Sequence, residues 1–236
     1  MNTTAMKKVL LILTALIYLQ SSAQNKWFET YTDSILLTRD ANKIVQQFAS
    51  KIEQHNPDIK LNNNKAIKNT TPYLIFINNA TISLPFWMEV SSQQKEFFTE
   101  IARGANEGKK VFGLFFNGFY LAHELGHSLS ANAGKNFDNA YDSEYEANII
   151  AILYWKAAGE KRNLKKCYAY SKKMLKILEN PVPANEDYAK YITEHYSELA
   201  SDPYKYGYIQ FTQFVEIYED KSLSNFDAFI KNYNAK

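Results

Sequence analysis

Apolar residues recur along this chain mainly three and four apart, the spacing of helices that bury one face, and one short region departs from it. Ile44, Val45, Phe48 and Ile52 predict a packing helix over residues 40–54, closed by Pro57. Asn62 to Asn64 and the polar stretch 65–71 predict an exposed loop, because such side chains compete for backbone hydrogen bonds. Residues 73–77 are a continuous run of β-formers and residues 81–86 alternate, which predicts two strands joined by a tight turn at Asn78 and Asn79. Pro85 has no N–H for a ladder, so the second strand is expected at a sheet edge.

Helical spacing then resumes. Ser91 or Ser92 is suited to cap a helix carrying Phe97, Phe98, Ile101, Ala102 and Ala105, with residues 104–108 as its end. The next helix starts near Lys110, carries Phe112, Phe115, Phe116, Phe119 and Leu121, and stops at Gly134. Only the short polar link 135–142 separates it from a run beginning at Ser143 and rich in Ile149, Ile150, Leu153 and Trp155, which predicts an antiparallel helix pair. Beyond Gly159 the pattern predicts helices over 164–178, 188–199, 204–218 and 226–233. The fold class is therefore α+β and predominantly helical, with a small sheet or hairpin before the 110–134 helix and a helical C-terminal part.

One polar triplet stands inside the apolar 110–134 helix. His123 and His127 are four residues apart, so on a helix they stack on one face with Cβ atoms about 5–6 Å apart, close enough to share a metal ion. Glu124 then lies to one side, placed to act as general base on a water held by that metal without being a ligand. A buried His-Glu-His set with no metal would be costly. Two acids compete to be the third ligand. Glu144 and Asn148 share a helical face, so the carboxylate can bind the metal while the amide orients an imidazole. Glu146 has other work available, since Ser143 three residues before it would complete a capping box. Asp138 and Asp142 remain in the connecting loop as outside possibilities.

The pentad His123-Glu124-Leu125-Gly126-His127 resembles the motif of the zincin metallopeptidases, and the likeness extends over that helix and the next. It implies a zincin-like fold, one Zn2+ per chain and hydrolysis of a peptide or protein substrate. In thermolysin-like zincins the third ligand is a Glu followed four residues later by Asp or Asn, which Glu144 and Asn148 match. The family also implies a sheet edge beside the metal helix that pairs with extended substrate, for which residues 81–84 are the candidate. A donor to the oxyanion from a later helix is implied too. His195 could supply it, although its stripe with Tyr188, Tyr191, Ile192 and Leu199 reads first as that of a hydrogen-bonded core histidine, and Tyr206 and Tyr208 flank Gly207 as alternatives. A non-peptidase amide hydrolase, or a binding protein that keeps the fold without turnover, would present the same residues.

Composition adjusts this picture in two places. Lys7 and Lys8 precede the apolar run 9–19, and Ser21, Ser22 and Ala23 offer a cleavage site, so residues 1–23 read as a secretory signal and residues 24–236 as one domain. Eleven apolar residues are too few to span a bilayer, and no stable membrane anchor is expected. Taking Lys7 and Lys8 from the 27 basic residues leaves them equal to the 25 acids, which removes the apparent basic excess and any footing for nucleic acid. Cys167 is the single cysteine, so no internal disulfide forms; the setting expected is periplasmic or secreted without disulfide staples.

Overall fold

A computed structural model describes residues 27–61, 63–70 and 74–233. The expected signal, residues 1–23, lies outside the described residues, as do Asn62 and residues 71–73 of the predicted loop and first strand. The described chain is predominantly helical with one small three-stranded sheet. None of its helices is long and apolar enough to cross a membrane.

Helix α1, Ser34–His55, begins earlier than the apolar pattern implies because Asp33 caps it, its Oδ1 accepting from the N–H groups of Ile35 and Leu36. It buries Leu37, Ala41, Ile44, Val45, Phe48 and Ile52. The sheet consists of β1 (Lys65–Lys68), β2 (Phe76–Asn78) and β3 (Thr81–Leu84), in the order β1-β3-β2. Two expectations are corrected here. The polar stretch after Asn64 is not all loop: β1 runs parallel to β3, and on its other side the Asn42 side chain donates to Ala66 O at 2.8 Å and accepts from Ala66 N at 3.0 Å. With its backbone satisfied on both sides, the strand needs a single inward residue, Ala66, and so leaves no alternating pattern. The second correction is that β3 is central. Pro85 follows the last paired residue, Leu84, where no ladder N–H is required. The strand on the other side of β3 is β2, which pairs with it antiparallel.

Helix α2, Ser92–Ala102, carries the expected cap, a reciprocal pairing of Ser91 with Gln94. It ends through Arg103 in the left-handed conformation, and α3, Ala105–Leu114, starts at once. Gly108 therefore lies inside α3 rather than ending α2. A Cβ there would stand 2.8 Å from the Phe98 carbonyl group, so the two helices need that glycine to touch.

From α3 the chain passes through a widened π turn, Phe115–Phe119, into α4, Tyr120–Asn132. Three successive carbonyls around this turn are taken by donors from elsewhere. Phe28 N reaches Asn117 O at 2.9 Å, Trp27 Nε1 reaches Gly118 O at 3.2 Å, and Trp155 Nε1 reaches Phe119 O at 3.1 Å. Phe28 packs edge-on against Trp155, and its ring lies where a Cβ on Gly118 would be, at 2.4 Å. The segment before α1 is thus wedged against the turn that leads into α4.

Helix α5, Ala140–Ala157, starts three residues before Ser143 because Asn139 caps it, accepting from Asp142 N. It packs antiparallel to α4 as expected: His123 meets Asn148, and His127 meets Ser143 and Glu144. The pair closes at Gly126, where a Cβ would stand 3.1 Å from Ala147 Cα. The helices that follow are α6 (Lys161–Met174), α7 (Tyr188–Glu194), α8 (Tyr196–Ser201), α9 (Pro203–Glu219) and α10 (Phe226–Lys231). The helix expected over 188–199 breaks at His195, which leaves helical geometry between α7 and α8.

Candidate metal centre

Three ligand atoms converge where α4 faces α5. His123 Nε2 lies 3.1 Å from His127 Nε2 and 3.2 Å from Glu144 Oε2, and His127 Nε2 lies 3.6 Å from Glu144 Oε1. A tetrahedral ion with bonds of about 2.0–2.1 Å places its ligand atoms about 3.3 Å apart, so these separations are those of three corners around one small cation. His123 and Glu144 are buried and His127 is partly exposed. The cluster could hold a metal ion.

The surrounding hydrogen bonds dictate which atoms face the centre. Asn148 donates from Nδ2 to Gln210 Oε1 at 3.1 Å and to Gln213 Oε1 at 2.9 Å, which fixes its amide and turns Oδ1 toward His123 Nδ1 at 2.9 Å. His123 must therefore carry a proton on Nδ1, and in the neutral ring Nε2 is a bare lone pair aimed at Glu144. Two acceptors cannot stand 3.2 Å apart with nothing between them. Without a metal the gap is closed by a proton on His123, and a bound cation would displace that proton. Glu144 is held in turn by Tyr196 OH at 2.9 Å on Oε1, and by Tyr206 OH at 3.0 Å and Gln210 Nε2 at 2.8 Å on Oε2. Tyr206, Gln210 and Gln213 lie at successive turns of α9, so one face of that helix orients the carboxylate and, through Asn148, the imidazole.

Burial and charge set the protonation of the metal-free site. Burial works to lower the pKa of His123, but the neighbouring Glu144 outweighs it and the net shift is upward. Glu144 is held well below the usual carboxylate range: burial opposes its charge, and the His123 hydrogen bond and charge overcome that. His127 is pushed down to about 4 by burial and then by the charge of His123. Glu124 is lifted to about 7, chiefly by burial, with His123 and the backbone N–H of Ile77 in β2 acting against the rise.

His123 and Glu124 form one wall of a cavity of about 450 Å³ that runs between α4, α2 and α9. Of the sequence candidates, the fold brings together His123, His127, Glu144, Asn148 and Tyr206, with Glu124 beside them. Glu146 stands apart from the centre and forms no capping box, because α5 begins at Ala140; it accepts instead from Lys135 Nζ at 2.8 Å, from Ser130 Oγ at 3.1 Å and from Tyr233 OH. Asp138 and Asp142 are exposed and outside the cluster. His195 is exposed, its ring tilted against that of Tyr191 at a centroid distance of 4.3 Å, so it is not a core histidine, and Tyr208 packs against the core. Residues 81–84 do not form the sheet edge. Sequence reasoning missed Tyr196, Gln210 and Gln213; the visible hint was two amides set among Ile209, Phe211 and Phe214. Comparison with protein families, curated proteins and solved structures finds no match to this chain.

Proposed function

We propose that this protein is an exported, zinc-dependent hydrolase of the peptidase kind, with His123, His127 and Glu144 as ligands and Glu124 as general base. The observation that carries the reading is the convergence of His123 Nε2, aimed by the Asn148 hydrogen bond to Nδ1, with two other ligand atoms, and with a fourth polar group, Glu124, buried alongside but outside the ligand set. A structural metal site would gain nothing from that last carboxylate, whose burial is costly. Zinc fits two imidazoles and a carboxylate, and when bound it acidifies a water toward neutrality and polarises a carbonyl.

The chain's own part in the reaction is proton handling and orientation. Glu124, with a pKa near 7, is matched to taking a proton from the attacking water and returning it to the leaving nitrogen. Tyr206 directs its hydroxyl to Glu144 and lines the cavity, which makes it the candidate donor to the developing oxyanion in place of His195 and Tyr208. The edge strand β2, held next to Glu124 through the Ile77 N–H, is the candidate strand to lie beside an extended peptide.

The test joins metal analysis with a broad peptide library. Protein expressed with ample zinc should carry about one ion per chain and cleave peptides, and Glu124→Gln should keep the ion while losing at least a hundredfold in kcat/KM. A metal-loaded protein that cuts nothing, or a Glu124→Gln variant that cuts as fast as the native chain, refutes the hydrolase assignment.

A further inference from the structure

The cavity beside Glu124 is far larger than a proton transfer needs, and its wall is rich in aromatic rings. Phe97 and Phe98 from α2, Phe115 and Phe116 from the π turn, and Phe211 from α9 line it, and Leu74 closes one side. Its polar lining besides the catalytic groups is uncharged, from Gln93, Gln94 and Ser201 among others. A cavity of about 150 Å³ suffices for a benzene ring, whereas this one holds about 450 Å³. The rings are arranged edge to face, Phe97 with Phe98 at 5.3 Å and Phe98 with Phe116 at 5.5 Å, which leaves ring faces and edges free to receive another aromatic group. A charged side chain would be stripped of water here with no partner outside the catalytic site.

Size is regulated at one position. Gly207 lies in α9 on the cavity wall, and a Cβ there would meet Leu178, Phe97 and Phe211 at 3.6–3.7 Å, ordinary contact distances. Nothing in the packing requires glycine at this point. Its missing side chain is what leaves the space between Phe97 and Phe211 open.

We infer that the cavity is the specificity pocket of the site, built to take a bulky aromatic side chain of a peptide substrate next to the bond that is cut, and that Gly207 sets its depth. The identification of this occupant as substrate rests on the hydrolase reading, while the pocket's preference does not.

The experiment separates the two. The metal-free protein is titrated, by ligand-observed NMR, with N-acetylphenylalaninamide and N-acetylalaninamide, which differ only in the group the pocket would receive. The phenylalanine probe should bind at least tenfold more tightly, the factor expected for withdrawing one phenyl ring from water. Gly207→Leu, a change that favours the helix, should bring that ratio below about threefold while leaving the alanine probe unaffected, and Gly207→Ala should fall between. Equal binding of the two probes, or a ratio indifferent to both substitutions, overturns the inference. Neither metal nor turnover enters this measurement. A chain that discriminates between the probes yet cleaves no peptide keeps the pocket and loses the hydrolase assignment.

Discussion

Glu124 sits buried at the base of an aromatic cavity with the Ile77 N–H as a hydrogen-bond donor, and burial lifts its pKa from 4.5 to about 7. Between those two values the folded chain binds a proton that the unfolded chain has released, so this group's contribution is fully present below about pH 4.5 and is lost as pH rises through about 7. Gln at the same position has no charge to bury. In the metal-free protein Glu124→Gln should therefore be more stable than the native chain by a margin that grows by about 2–3 kcal/mol between pH 5 and pH 8. Urea unfolding of both proteins across that range measures the margin, and a margin independent of pH would show that Glu124 is not desolvated. At this scale the ligand set was legible: spacing put His123 and His127 on one face, and Glu144 with Asn148 on another. The residues that orient them were not. Helical periodicity places Tyr206, Gln210 and Gln213 together on α9, but only the packing of α9 on α5 turns that face inward to Glu144 and Asn148.

Among elements, the junction of α3 and α4 depends on a contact that no local pattern announces. The π turn over Phe115–Phe119 exposes carbonyls to Trp27, Phe28 and Trp155, and Gly118 is the point where the Phe28 ring meets the helix backbone. Gly118→Ala should force that ring away. The expected cost is about 1–3 kcal/mol of stability, typical of overpacking, accompanied by a loss of metal affinity because His123 follows five residues later on the same rod. Gly207→Ala, at an uncrowded helical site of the cavity wall, should leave metal affinity at the native value and raise stability by about 0.5–1 kcal/mol. Thermal unfolding and zinc titration of the two variants check the contrast; equal effects would mean that the wedge of residues 27–31 does not position α4. The long amphipathic helices were legible because burial of one face is written into their spacing. Strand β1 was not, since its pairing with β3 and with Asn42 is made by backbone atoms, and neither was the break at His195, where the stripe continues in sequence although the helix stops.

At the scale of the molecule, the centre joins parts that are far apart along the chain: α4 and α5 supply the three side chains that could hold a metal ion, α9 orients Glu144, and β2 reaches Glu124. A cation bound there would bridge α4 and α5 directly and draw on α9 through Gln210, so its binding free energy should appear as stability of the whole domain. With free zinc a thousandfold above Kd, unfolding should require about 4 kcal/mol more than in the metal-free protein. Acid should weaken that increment progressively, because zinc must displace the proton that His123 holds in the metal-free site, and should remove it by about pH 4, where His127 protonates as well. The two acids of α5 distinguish this linkage from a general effect of zinc. Glu144→Ala takes away a ligand atom and should abolish the increment. Glu146→Ala releases Lys135, Ser130 and the C-terminal Tyr233, which lowers the starting stability by about 1–3 kcal/mol but should leave the increment intact. If Glu146→Ala instead erases the response to zinc while Glu144→Ala preserves it, the ion sits at the far end of α4, and the assignment of the centre to His123, His127 and Glu144 fails.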